Sequence, residues 1–379
     1  MSERKLIAWR EAGLIDEATA QRIRAYEAEH ARPLALWAAI GLGALAIGLG
    51  VISVIAANWE DVPGLVRLAF HLVLIGVLAA FIMIRGEGIE RDHPWWLEAA
   101  LFVFAVLGMA FFGHLGQVYQ TSSPLWKPLL TWLVLFAPLL LLRGQSWLTA
   151  VLVKGTLVYA SWDYAFAYER FFGATRELPD SWLALVTAVP LLAAPLGAWM
   201  RGRSPRESFW KRIEQLGLAY GVGGASLIAI AAGIEEFDEN MMALDAQSVR
   251  AVLALAAASL VYLARRSASG EASAAILAGS GILCLIAYPL SGEALAGGLL
   301  LMALWIGIAA AALRAGWRWV FQIAVAVVAL RLIILSFELA SDLLTSGFGL
   351  IIAGLLILAI AWGALRISRQ FAPKAGEAA

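Results

Sequence analysis

Arg67 and His71 stand four residues apart, a spacing that puts two side chains on one face of a helix. His114, Gln117 and Gln120 follow one another at three-residue steps. Both groups lie in long apolar runs, as do Asp163 and Arg331. An ionisable group at the centre of a membrane span costs ~2.5–3.5 kcal/mol on insertion scales, so each asks for a partner or a role. Arginine offers a planar fork of donors that matches carboxylate or phosphate. Histidine titrates near neutral pH and can relay a proton. Arg67, His71, His114, Gln117, Asp163 and Arg331 are therefore the candidate substrate-binding set, suited to a small anionic solute or lipid. The alternative is that the two arginines snorkel to the interface and the histidines are neutral packing residues.

Lys154 is too deep for easy snorkelling, eight residues from Ser146. Asp163, nine residues further on, points to the opposite helix face, so the lysine has a partner from another helix, is neutral, or snorkels in part through a water defect. Enzyme signatures are absent. There is no HExxH and no histidine pair with ligand spacing, which argues against a zinc protease. Ser280 in Gly279-Ser280-Gly281 has no base after it, because His30, His71, His93 and His114 all precede it. No P-loop or dinucleotide fingerprint occurs. No catalytic residue, metal or cofactor is expected.

These residues are set in an extremely apolar chain. Of 379 residues, 61% are hydrophobic and 15% charged, and mean hydropathy is +0.79. A soluble domain averages about 25% charged residues, and this excess cannot fit in one soluble core. The chain reads as an all-α polytopic membrane protein. Equal numbers of basic and acidic residues, 28 each, exclude a nucleic-acid binder. Cys284 is the single cysteine, so no disulfide scaffold exists.

Twelve stretches are near spanning length: 34–57, 64–84, 95–119, 125–142, 146–167, 182–200, 214–233, 246–264, 273–290, 294–313, 316–335 and 346–366. On this reading 21 of the 28 Lys and Arg residues fall on one side and four, Lys127, Arg170, Arg176 and Arg250, on the other. The positive-inside rule then puts both termini in the cytoplasm. The candidate set shares the outer third, with His71 and His114 both ~10 Å below the outer boundary at 1.5 Å per residue. The inner halves hold mainly Lys154 and, at the edge, Glu98.

A weak repeat relates the first six spans to the last six. Val66-Arg67 matches Val249-Arg250, Tyr119 matches Tyr288, and Trp132 with Arg143 matches Trp305 with Arg314. Six spans per copy makes the copies parallel, about an axis along the membrane normal. Pro138, Pro190 and Pro195 do not correspond under the repeat, so no broken helix pair is expected at the midplane. Small residues, among them Gly41, Ala44, Gly48, Gly217, Gly221 and Gly224, are expected at close helix crossings.

Before the spans, residues 1–33 read as a cytoplasmic amphipathic helical hairpin. Gly13 ends its first helix and Asp16 caps its second, whose stripe is Ile15, Thr19, Ile23 and Tyr26. The resulting organisation is 1–33 hairpin, 34–200 first repeat, 201–213 basic linker, 214–366 second repeat and 367–379 tail.

The hairpin with Trp9, Gly13-Leu14-Ile15, Ile23 and Tyr26 resembles the N-terminus of a bacterial family of predicted membrane proteins, domain of unknown function 2157. Ala57-Asn58-Trp59 and Gly116-Gln117-Val118-Tyr119-Gln120 look like later signatures of that family, and the match is best over residues 1–145. Phe337-Glu338-Leu339 through Arg366 is similar to the C-terminal helix of a related family. The resemblance implies a bacterial, multi-pass inner-membrane protein and transfers no activity. Two functional classes follow. One is a secondary transporter or solute-binding membrane protein with an outward-facing polar cavity. The other is a non-transport protein, either an outer-leaflet enzyme or a scaffold whose residues 1–33 dock a cytoplasmic protein partner. The expected surroundings are the lipid bilayer, with no nucleic acid.

Overall fold

The computed structural model describes residues 9–29, 62–172, 178–234, 242–290 and 292–339, with a few single positions elsewhere. Every regular element among them is helical. In chain order these are α1 (Glu17–Glu29), α2 (Gly64–Asp92), α3 (Pro94–Tyr119), α4 (Trp126–Arg143) and α5 (Trp147–Phe172). There follow α6 (Asp180–Ala188), α7 (Ala193–Arg201), α8 (Glu207–Ala232), α9 (Leu244–Ala264), α10 (Ala268–Ala287), α11 (Ala294–Arg314) and α12 (Arg318–Leu339). The first and twelfth predicted spans, and with them Gly41, Ala44 and Gly48, lie wholly or largely outside the described residues.

The chain divides into two compact units, Met1–Arg67 and Leu68–Ala379, the division falling in the first turn of α2. In the first unit the hairpin forms as its sequence dictates. Gly13 adopts φ +70°, open to glycine at no steric cost. The Leu14 amide then reaches back to the Trp9 carbonyl at 2.9 Å. Asp16 Oδ1 accepts from the Thr19 amide at 2.8 Å, capping α1, and that bond holds its carboxyl below the usual carboxylate range. Arg10 pairs with Glu17 of α1 across the turn at 2.8 Å.

In the second unit, nine segments among the described residues are long and apolar enough to cross a membrane, including the pair α6–α7 taken as one. This is a membrane protein with several spans. Nine of the twelve predicted spans coincide with these segments. The helices run beyond the apolar stretches: α2 continues through Glu87 to Asp92, and α8 begins at Glu207 rather than 214. A helix need not stop where hydrocarbon stops, so its charged end turns were read as loop. α5 covers the fifth predicted span but is not among the nine. Its Thr149, Lys154, Thr156 and Ser161 are all buried. Its low hydropathy reflects contact with protein on several sides, since it packs on α4, α6, α8 and α3.

α8 is the central element, packed against α5, α7, α10 and α11. Small residues permit this. A Cβ on Gly217 would sit 2.3 Å from the Ala194 amide nitrogen, and one on Gly197 2.5 Å from that of Glu214. At α8's other end, a Cβ on Gly297 of α11 would lie 2.6 Å from the Gly233 nitrogen. Backbones approach this closely only where side chains are missing.

One predicted span is broken. Pro190 lies in a 3₁₀ turn, Val189–Leu192, that separates α6 from α7, and Pro195 opens α7. Proline lacks an amide hydrogen and its ring clashes with the carbonyl four residues back, so two prolines five apart cannot both sit in an unbroken helix. The expectation concerned a matched pair of broken helices; this is a single break, at Pro190.

The crossing makes a direct prediction. Gly217→Ala should destabilise the protein by about 1–3 kcal/mol, the cost of overpacking. Gly223→Ala, where a Cβ meets nothing within 4 Å, should be neutral or slightly stabilising. Thermal unfolding in detergent separates the two, and equal melting temperatures would refute the crossing.

Candidate functional site

The ends of the helices are held by charges from other helices. Glu98 of α3 receives the Ser146 amide at 2.8 Å, the Gln145 amide at 2.5 Å and the hydroxyls of Ser146 and Thr149, both at 2.5 Å. It thus caps the N-terminus of α5, where free amides and the helix dipole favour an anion. At the C-terminus of α4, Arg206 donates to the carbonyls of Leu141 at 2.6 Å and Gly144 at 2.8 Å. Burial lowers the Arg206 guanidinium from its ordinary value, opposed by the nearby Glu90 and Glu98. Glu214 of α8 is 2% exposed and holds Arg201 at 2.9 Å, Arg265 at 2.7 Å and the Ser273 hydroxyl at 3.2 Å. The inner halves of the spans were expected to hold mainly Lys154 and Glu98. The arginine-rich end carries instead a dense set of ion pairs, hidden in the sequence because Glu214 was read as the edge of a span when it lies two turns inside one.

Of the six residues singled out by depth, His71 and His114 are seen together. Arg67, in the first unit, donates from Nε to the Val62 carbonyl at 2.8 Å. His71 and His114 do meet, Nδ1 to Nδ1, at 3.5 Å, and His71 Nε2 lies 3.1 Å from the Leu107 carbonyl. Gln117 is exposed. Asp163 Oδ2 accepts the Trp126 amide at 2.7 Å, capping α4 from α5. Arg331 lies against Gly298 of α11, where a Cβ would meet its guanidinium at 2.2 Å.

None of the six lines the large cavity of about 620 Å³ enclosed by α5, α6, the 3₁₀ turn, α8, α9 and α10. Its size falls within the ~300–1,000 Å³ typical of small-molecule sites. Its wall on α8 runs from Ala219 to Ile234 and includes Gly221, Gly223 and Gly224. Thr187, Ala188 and Leu191 bring the helix break to its edge, and Arg250 of α9 is the only charged residue among the described residues that line it. Sequence reasoning counted Arg250 as a flanking charge, yet it stands six residues inside α9, ~9 Å along the axis. A signal was present: it pairs with Arg67 in the internal repeat.

Beneath the cavity, Lys154 is 5% exposed. Its ammonium donates to the Pro190 carbonyl in the break and lies 4.5 Å from the centre of the Tyr220 ring. The Tyr220 hydroxyl donates to the Thr187 carbonyl and receives the Trp162 indole N–H at 2.9 Å. The partner of Lys154 is thus the Pro190 carbonyl in the break, which also accepts the Ala193 amide. Ser280 and Cys284 line the cavity, but each donates to a carbonyl of its own helix, at 2.9 and 3.3 Å. The serine is thus a packing residue. Among the described residues no three His, Cys, Asp or Glu side chains gather to hold a metal.

Residues 8–149 match the family model described as a predicted membrane protein, DUF2157. Among curated proteins and solved structures, none matches the chain.

The histidine pair has a defined proton arrangement. His71 donates from Nε2 to the Leu107 carbonyl, so in the neutral ring its Nδ1 is an acceptor. His114 must then carry its proton on Nδ1. Nitrogen NMR of histidine-labelled protein at neutral pH should show one Nε2–H and one Nδ1–H tautomer assigned in that order. Two Nε2–H rings would rule out the contact.

Proposed function

We propose that this is a solute-binding membrane protein of the transporter type, with its site in the cavity between α5, α8 and α9. The observation that carries the reading is the broken helix at the edge of the cavity with Lys154 seated on it. In secondary transporters, substrate sites near the midplane are commonly built where helices are discontinuous, because freed backbone groups and half-helix ends supply polar contacts inside hydrocarbon. Here the carbonyls of Thr187 and Pro190 lie ~10–15 Å from the start of α6, and α8 and α5 respectively send a side-chain donor to them. The cavity then gives a solute a volume to occupy and Arg250 gives it a charge to meet.

In this reading the six-plus-six duplication, a bacterial inner membrane and cytoplasmic termini complete the architecture. The cavity lies toward the end poor in basic residues and would face outward under the positive-inside rule. The break supplies the movable part. α6 can change its angle to α7 by adjusting a few dihedrals in Val189–Leu192, the way hinges commonly work.

Spin labels at Ser181→Cys on α6 and Leu295→Cys on α11, in a Cys284→Ser background, report that motion. Pulsed electron resonance in nanodiscs should give two distance populations whose balance shifts when Lys154→Met removes the donor to Pro190. A single distance, unchanged by the mutation, would refute transport by this hinge. Reporter fusions after residues 175 and 240 should be external, and fusions after 207 and 379 cytoplasmic. The reverse pattern would turn the cavity to the other side.

A further inference from the structure

The chemistry of the cavity wall narrows what can occupy it. The hydroxyls and thiol facing it are already used: Tyr220 on Thr187, Ser280 on Ile276 and Cys284 on Ser280. A sugar or other many-hydroxyl solute would find few partners, and each polar group buried without one costs on the order of 1–3 kcal/mol. Apart from Arg250 the walls are mainly apolar. Two of the lining residues, Leu227 at 63% and Ile230 at 50% exposed, also face outward. On a membrane-spanning helix such a face meets lipid, so the cavity is continuous sideways with the bilayer. Gly223 and Gly224 open a trough there, since a Cβ on either meets nothing within 4 Å.

Arg250 marks the other end of the trough. A helical side chain leans toward the N-terminus of its helix, which for α9 is the end poor in basic residues. The guanidinium is half-buried in the cavity wall, where Cys284 of α10 and Tyr220 of α8 act on it electrostatically. Asp180 and Asp245, in the first turns of α6 and α9, act on it more weakly, and Asp245 itself accepts the Ser181 amide at 3.2 Å. A guanidinium has five N–H donors, enough to hold a neighbouring carboxylate and an anionic ligand together.

We propose that the cavity takes a lipid-type amphiphile with a small anionic head, its phosphate or carboxylate on Arg250 and its chain along Gly223 and Gly224, entering sideways from the bilayer. This rests on the solute-site reading and names the class of solute.

The test is native mass spectrometry of the full-length protein in detergent micelles, titrated separately with phosphatidic acid, phosphatidylcholine and inorganic phosphate. Phosphatidic acid should be retained about 10-fold better than phosphatidylcholine, the ratio expected for one charge-assisted contact, and inorganic phosphate should not be retained. Arg250→Gln should bring the two lipids level, while Arg250→Lys keeps part of the preference and controls for folding. Gly224→Leu, which fills the trough, should weaken both lipids. Equal retention of the two lipids by the unmodified protein, or a preference that survives Arg250→Gln, overturns the anionic assignment and leaves the site. Retention of inorganic phosphate as strong as that of the lipid overturns the amphiphile. Lipid retention unaffected by Gly224→Leu overturns the cavity as a solute site and this proposal with it.

Discussion

Hydrocarbon offers no hydrogen bonds, so a backbone carbonyl released inside a membrane must find a donor in the protein or cost several kcal/mol. The break at Val189–Leu192 interrupts the helical ladder, and α5 and α8 each send a side-chain donor to carbonyls at it. Lys154 must be buried on α5 to reach Pro190, and Tyr220 must face inward from α8 to reach Thr187. The tyrosine ring does a second job, lying over the ammonium and giving the buried charge a π-face. Both requirements fix the rotation of α5 and α8 about their own axes. That rotation turns Gly221, Gly223 and Gly224 toward the cavity. It also leaves Gly217 against Ala194, with no room for a side chain.

At the arginine-rich end the same constraint is met by charge. Glu98 closes the start of α5 and Arg206 closes the end of α4, each completing a terminus that its own helix cannot satisfy. Glu214 joins α7, α8 and the α9–α10 junction through Arg201 and Arg265. Removing one member of such a buried set leaves a charge without compensation, worth about 3–5 kcal/mol, so the end behaves as one rigid clamp.

Much of this was legible in the sequence, in proportion to how local its cause is. Gly13 and Asp16 act within four residues of themselves, and their roles could be read directly. The spans followed from runs of apolar residues, and counting residues from the boundary correctly brought His71 level with His114. Depth could not say which helices are neighbours, and so Asp163 and Arg331 were grouped with histidines that they do not touch in the contacts seen. Glu98, Glu214 and Arg250 were undervalued because each lies near a span end, where a charge usually needs no explanation. Their partners are 47 or more residues away for Glu98 and up to 59 for Glu214, beyond the reach of any spacing rule. The prolines of the break were visible, but the expectation concerned a matched pair of broken helices and not a single one.

The placement of close contacts says which parts can move together. Gly297 against Gly233 ties α11 to α8 near the cavity, while Asp245 on the Ser181 amide ties α9 to α6. The cavity lies on the seam between these pairs, with the glycine trough on α8 and Arg250 on α9. A ligand with its chain on one wall and its head on the other touches both pairs at once. Its binding energy therefore depends on their separation, and that dependence is what lets a ligand shift a conformational equilibrium. Under the proposed transport reading, a clamp at the arginine-rich end would confine the change to the opposite end, where the 3₁₀ turn separates α6 from α7. The polar stitches of Lys154 and Tyr220 lie at that turn, so the groups that make the break tolerable in hydrocarbon also set the resistance to opening the seam.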